Sequence, residues 1–183
     1  MTAKVTTLAN GVTVTIRPIE ADDFLALVAF HEHLSFETTY KRFFGVHPHL
    51  APGEAEHFCA VDNHDRFALV ATTDDAQLVG VARLERLDLP NIAEAAFVIA
   101  DQFQRQGLGT VLARELAYAA RQLSMTELVA DTLADNQAML RLFPAAGYPV
   151  TVKSRDGVAR ISCPVCQDPL ARLAAHQPPG ESG

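Results

Sequence analysis

The 183-residue chain is expected to fold as one α/β domain, with about seven strands flanked by helices. Three observations predict this. The length suits a single domain with a substantial core, since most domains run about 100–200 residues, and 49% hydrophobic with 20% charged residues are ordinary globular proportions. Residues 93–100 form a short, nearly continuous apolar run, read as a strand buried on both faces. After it, Leu108, Leu112, Leu116 and Ala120 recur at every fourth position, with Val111, Ala119 and Leu123 beside them, which is an amphipathic helix.

The remaining elements follow in order. Asn10-Gly11 is a turn pair, and residues 12–17 alternate as a strand until Pro18. Asp22 and Asp23 suit the first turn of a helix carrying Phe24, Leu25, Leu27, Val28 and Leu34, because carboxylates favour the positive end of the helix dipole. A second short helix starts at Ser35, whose hydroxyl can cap free amides, and runs through Tyr40, Phe43 and Phe44. A proline-containing loop over 45–53 leads to a short helix around 54–59. Residues 66–73 and 77–87 are strands joined by Asp74-Asp75-Ala76, an antiparallel hairpin.

Beyond the long helix, 127–131 reads as a short strand. Asp135 or Asn136 caps a helix with Met139, Leu140 and Phe143 on its apolar side. Pro144, which has no amide to donate, truncates or kinks that helix. Gly147 ends it, and 148–153 with 157–165 make a last hairpin. The tail from 167 is rich in Pro, Ala and Gly, and 177–183 is expected to be disordered. No internal repeat is present.

Composition excludes several classes of function. A net charge of −7 argues against a nucleic-acid partner, which needs a basic face, and is compatible with a cationic acceptor such as a lysine side chain. No stretch approaches the roughly 20 apolar residues of a membrane span, and no apolar signal core opens the chain. Three cysteines imply no disulfide framework, so a cytoplasmic location is expected. Oligomeric state is open between monomer and homodimer.

The stretch with most chemistry is Gln104-Arg105-Gln106-Gly107-Leu108-Gly109-Thr110, between the apolar strand and the long helix. A helix N-terminus offers amides without intrahelical partners and the positive end of a dipole, a site for phosphate. Glycines let the backbone approach a ligand. No Gly-Lys-Ser/Thr closes the turn, and it lacks the three glycines of a dinucleotide fingerprint. A glycine-bearing turn with no ligand is the alternative.

The spacing Gln104-x-x-Gly107-x-Gly109 resembles the pyrophosphate signature of the GNAT acyl-CoA N-acyltransferases, and Asn136 followed by Gly147-Tyr148 resembles their second motif. More narrowly, Val14-Thr15-Ile16-Arg17-Pro18-Ile19, Tyr40-Lys41-Arg42-Phe43-Phe44, Phe67-Ala68-Leu69-Val70-Ala71 and Glu94-Ala95-Ala96-Phe97-Val98-Ile99-Ala100-Asp101 resemble the acetyltransferase domain of Pat-type bacterial protein lysine acetyltransferases. The likeness covers residues 8–165, with 166–183 as a C-terminal tail. It implies a mixed, mostly antiparallel sheet whose parallel central strands splay to admit CoA. Many such enzymes carry an extra nucleotide-sensing or CoA-ligase-like domain; 183 residues leave no room for one, so regulation of that kind is not carried over.

The resemblance also implies an activity and a site. Acetyl-CoA would be the co-substrate, without a metal, and the acceptor a primary amine attacked directly in a ternary complex. Glu94 is the only charge within 93–100 and stands where the family keeps its general base. A free lysine, with a pKa of about 10.4, is mostly protonated and must lose a proton first. Apolar neighbours would raise the pKa of Glu94 toward the range where a base works best. The backbone of Val98, Ile99 and Ala100 would pair with the pantetheine arm, and the Val98 amide would hold the developing oxyanion. Amides of Gln104, Arg105, Gln106, Gly107, Leu108, Gly109 and Thr110 would hold the pyrophosphate, the Arg105 side chain assisting and Asn136 contributing to CoA binding.

Seven residues after the motif asparagine the family often has a tyrosine as general acid; here the position is Phe143, and no general acid is assigned. Tyr40 to Phe44 border the acceptor site by analogy, or are simply helix packing. Cys163-Pro164-Val165-Cys166 is a lone Cys-x-x-Cys, read as incidental rather than a zinc or redox site. His31/His33 and His47/His49 alternate, poor ligand geometry on a helix, and are expected to be exposed. The expected function is N-acetylation of a protein lysine. A small-molecule amine acceptor (polyamine, amino acid or antibiotic) and a non-catalytic acyl-CoA sensor are the alternatives.

Overall fold

The computed structural model describes residues 1–45 and 49–165. His47, Cys166 and the tail lie outside the described residues.

Strands β1 (Lys4–Thr7) and β2 (Thr13–Pro18) precede helices α1 (Phe24–Glu32), α2 (Phe36–Phe43) and α3 (Pro52–Cys59). Then come β3 (Arg66–Thr73), β4 (Leu78–Arg86), β5 (Ile92–Ile99), α4 (Leu108–Gln122) and β6 (Glu127–Leu133). Two four-residue helices, α5 (Gln137–Leu140) and α6 (Leu142–Ala145), lead to β7 (Thr151–Arg155) and β8 (Val158–Pro164). One eight-stranded sheet runs in the order β1-β2-β3-β4-β5-β6-β8-β7, antiparallel except for β5 against β6. The strand beyond the seven expected is β1, which the sequence reading passed over. It is short and mostly exposed, so it has no hydrophobic alternation to betray it.

The core forms in two layers because side chains alternate across a strand. On one face, Leu108, Leu112, Leu116 and four alanines of α4 are buried against β3, β4 and β5. Each such leucine stabilises the fold by about 1.5–3 kcal/mol through the apolar surface it removes from water. On the other face, Leu27 and Phe30 of α1 and Ala55 and Cys59 of α3 pack over Ala68, Val70 and Val81. Helix α2 lies on the same face, over β5 and β6. Arg17 at the end of β2 grips Asp23 before α1 through two hydrogen bonds of 2.7 and 2.8 Å. Burial opposes ionisation of Asp23, but the Arg17 guanidinium and the Glu20 amide hold its carboxyl below the ordinary value.

Two expectations about local structure are refined. The helix capped by Asn136 breaks at Arg141 into α5 and α6, with Pro144 in the first turn of α6, where its missing amide costs least. His31 is buried, not exposed, with its ring 5.7 Å from that of Phe43. His33 and His49 are exposed as expected.

Candidate active site

The pairing of β5 differs on its two edges. Antiparallel pairing with β4 runs the length of the strand, from Arg86↔Ala93 to Gly80↔Ile99. Parallel pairing with β6 covers only Ile92↔Glu127, Ala93↔Leu128 and Glu94↔Val129, although β6 continues to Leu133 along β8. The two central strands therefore part beyond Glu94 and Val129, opening a fork toward the C-terminal end of β5.

Successive residues of a strand turn their backbone groups to opposite edges. Ala100 N–H donates to Val79 O at 2.9 Å, and Asn91 O, at the other edge, accepts from Thr126 N–H at 2.8 Å. Even-numbered residues of β5 thus address β4, while Phe97 and Ile99 turn their amides into the fork. This corrects an expectation: the amides of Val98 and Ala100 belong to the β4 ladder and are not available to a pantetheine arm or an oxyanion. The Ile99 carbonyl accepts from Gln104 Nε2 at 3.0 Å, and its N–H turns toward the fork.

The turn after β5 is clamped at several points. Gln104 Nε2 also donates to Thr38 Oγ1 at 3.0 Å. The Asp101 carboxylate accepts from Ser35 N–H (2.9 Å), Ser35 Oγ (2.6 Å) and Thr38 Oγ1 (2.7 Å) at the start of α2. Burial opposes its ionisation, but these donors outweigh it and hold the carboxyl below the ordinary range. Gln106 O accepts from Ala9 N–H at 3.1 Å.

Arg105 (φ +58°) and Gly107 (φ +89°) are both left-handed, bending the chain so that Gly107 caps α4. Gly109 has a different reason to be glycine. A Cβ there would lie 3.0 Å from Ile99 Cδ1 and Leu142 Cδ1, so the bare backbone lets α4 sit against β5 and α6. The amides of Leu108, Gly109 and Thr110 have no acceptor within the helix, and no acidic side chain occupies its first turn. Such a cradle fits a phosphate anion, and exposed Arg105 stands beside it.

Glu94 sits at the vertex of the fork, on the face that α2 partly covers. It is exposed, and β5 is half-buried from Ala96 onward, so the strand enclosed on both faces that the apolar run implied is not present. The fork is the reason: with no neighbour strand beyond Glu94, one edge of β5 stays open. Glu85 lies directly across on β4, and Arg83, two residues away on the same face, lies opposite Ala96. The Arg42 guanidinium of α2 is drawn electrostatically to Glu94. Arg83 escaped the sequence reading because β4 also carries Glu85 and Arg86, so no single charge stands out in that strand.

Other named residues have structural duties. Asn136 Oδ1 accepts from Met139 N–H (3.3 Å) and its Nδ2 donates to buried Thr132 Oγ1 (3.0 Å), so it caps α5 and pins it to β6. Phe143 is fully buried, edge-on to Phe97 with ring centroids 5.7 Å apart. Tyr148 is buried, and its hydroxyl accepts from Arg121 at 2.8 Å. Burial, then Glu127, push the Cys163 thiol up to about 12, so it stays protonated at neutral pH. Among the described residues no group of three or more metal-ligating side chains forms. No helix among them is long and apolar enough to cross a membrane.

The chain is similar to known proteins. The family described as acetyltransferase (GNAT) domain matches residues 13–149. Acetyltransferase PA5475 of Pseudomonas aeruginosa is 31% identical over 147 residues, 79% of each chain. Acetyltransferase Pat of Mycolicibacterium smegmatis is 29% identical over 136 residues, which are 72% of this chain and 40% of that protein's length. The crystal structure of the GNAT domain of S. lividans PAT matches with a TM-score of 0.80 at 31% identity, over 87% of this chain and 95% of that one.

Proposed function

Because the chain belongs to the GNAT family, and is thus an acetyl-CoA-dependent N-acetyltransferase, we propose that it acetylates a protein lysine with Glu94 as general base. One observation carries the reading: the Glu94 carboxylate stands at the vertex where β5 and β6 part, open to solvent on the face away from α4, with Glu85 directly across on β4. Acetyl-CoA supplies the thioester. The fork amide of Ile99 and the cradle at Leu108 to Thr110 hold its arm and pyrophosphate. Glu94 takes the proton that the lysine ammonium must lose before its nitrogen can attack. The Phe97 N–H faces the fork and steadies the oxygen on which negative charge develops. With Phe143 buried in apolar contact, water or the departing ammonium returns the proton to the thiolate.

Two things support a protein acceptor over a small amine. The chain is similar to two proteins named Pat. On the side of Glu94, Asp131, Arg160, Lys153 and Arg155 stand exposed on the neighbouring strands β6, β8 and β7, a surface that a polypeptide can approach. Labelled acetyl-CoA incubated with lysine peptides, polyamines and free amino acids tests this. Label in the peptides is expected. Label confined to small amines overturns the protein acceptor, and CoA binding without transfer to any acceptor returns the sensor reading.

A further inference from the structure

We infer that Arg42 and Arg83 form a carboxylate-binding subsite beside Glu94, so that the preferred acceptor carries a negative charge close to its amine. This rests on the placement of the acceptor at Glu94. The two guanidiniums come from different elements, one from α2 where it packs on β5, the other from the centre of β4, and meet on one face of the sheet. The Arg83 guanidinium carbon lies over the Phe58 ring, 4.3 Å from its centroid, and the guanidinium donates one hydrogen bond to Phe58 O at 3.3 Å. Arg42 lies 5.0 Å over the Phe43 ring. Among the described residues neither has a carboxylate within ion-pair distance. Each guanidinium carries five donor hydrogens, so most are left for a ligand.

The surrounding charges favour an anion. Arg42, Arg66 and Arg83 face Glu85 and Glu94, three cations against two carboxylates. Burial and then the charge of Arg42 push the Arg83 guanidinium down to about 10. Burial lowers Arg42 as well, against the pull of Glu94. Two half-buried cations on one face, one of them lowered by the charge of the other, are stabilised by a shared carboxylate, and arginine's planar fork suits that ligand. A bound carboxylate would hold the amine over Glu94 and would separate acidic from neutral acceptors. Two sources can provide it: the α-carboxylate of a free amino acid, or an acidic side chain next to a lysine.

The test compares acceptors that differ only in that charge: lysine against cadaverine, and capped Glu-Lys peptides against Ala-Lys and Arg-Lys peptides. Both acetyl transfer and equilibrium binding to the CoA-bound protein are measured. The wild type should favour the carboxylate-bearing member of a pair by about tenfold, mainly through KM. Preference in the lysine pair identifies a free amino acid as the source; preference among the peptides identifies an acidic neighbour. Arg83→Gln and, independently, Arg42→Gln should each abolish most of that preference, while Arg42→Lys should retain part of it. Equal treatment of charged and neutral acceptors by the wild type, or a preference that survives both glutamine variants, overturns the subsite. Absence of transfer with the binding preference intact would instead remove Glu94 as base and leave the subsite standing.

Discussion

The two faces of β5 behave as if they belonged to different proteins. Ala93, Ala95, Phe97 and Ile99 point toward α4 and join the main hydrophobic core. Glu94, Ala96 and Val98 point the other way, and there the strand carries an exposed carboxylate with two half-buried arginines nearby. The period of two lets one strand be anchored by alternate residues and remain free to do chemistry with the rest. Rigidity comes from one face and, on the proposed function, reactivity from the other, so damage to the two should read out differently.

The sharpest way to break the comparison is Glu94→Gln, which keeps the shape and removes the base. The rate near neutral pH should fall by about 10²–10⁴, with CoA affinity and thermal midpoint unchanged. The loss should shrink toward pH 10, where amines deprotonate in solution. A rate near normal at pH 7 would remove Glu94 from the base role, and a constant deficit up to pH 10 would make it positional.

Leu116→Ala is the counterpart on the buried face. Its side chain is fully buried, so truncation should cost about 2–5 kcal/mol of stability. For a domain of this size that lowers the midpoint by about 2–4 °C per kcal/mol. Turnover per folded molecule should stay close to that of the wild type; a loss like that of Glu94→Gln would show that the two faces are not separable.

A third substitution, Gly107→Ala, probes the junction between the faces. Its φ of +89° carries a penalty of about 1–2 kcal/mol for a residue with a Cβ, although the space around it is open. The strain should appear as about tenfold weaker CoA binding by calorimetry. Unchanged affinity would place the pyrophosphate elsewhere.

The smallest effect is expected from Asp101→Asn, which weakens the clamp between the turn and α2. Loss of a capping carboxylate costs roughly 1 kcal/mol, or about 2–4 °C in midpoint. Because the folded-state pKa of Asp101 is lowered, its contribution is fully present above the reference value of 3.8 and disappears as pH falls through the folded value. Melting curves of the two proteins should therefore converge below about pH 3.8; a gap that persists in acid would mean that neutral hydrogen bonds do the clamping.

Much of this was legible in the residues. The 3.6-residue rhythm of 108–120 predicted α4, and Ser35 and Asn136 announced their caps. The lone charge in 93–100 marked Glu94 because an ionised group in an apolar strand needs a reason to be there. The acyl-CoA signature predicted the turn, and Gly107 has the left-handed backbone that makes glycine the natural residue. His31 misled because an alternating pair of histidines says nothing about what packs over them; Phe43, twelve residues on, encloses it.

What the chain alone determined is periodicity and local chemistry: which stretches are strands or helices, where the turn lies, and which charge is out of place. These depend on neighbours in sequence, and the residue types record them. What only the tertiary structure decided is direction. Whether Val98 or Phe97 turns its amide to the open edge depends on which edge of β5 meets β4, and that is fixed by pairing with strands many residues away. The nearness of Arg42 and Arg83 to Glu94 likewise arises from packing a helix over a sheet, a contact between distant segments that no local pattern encodes.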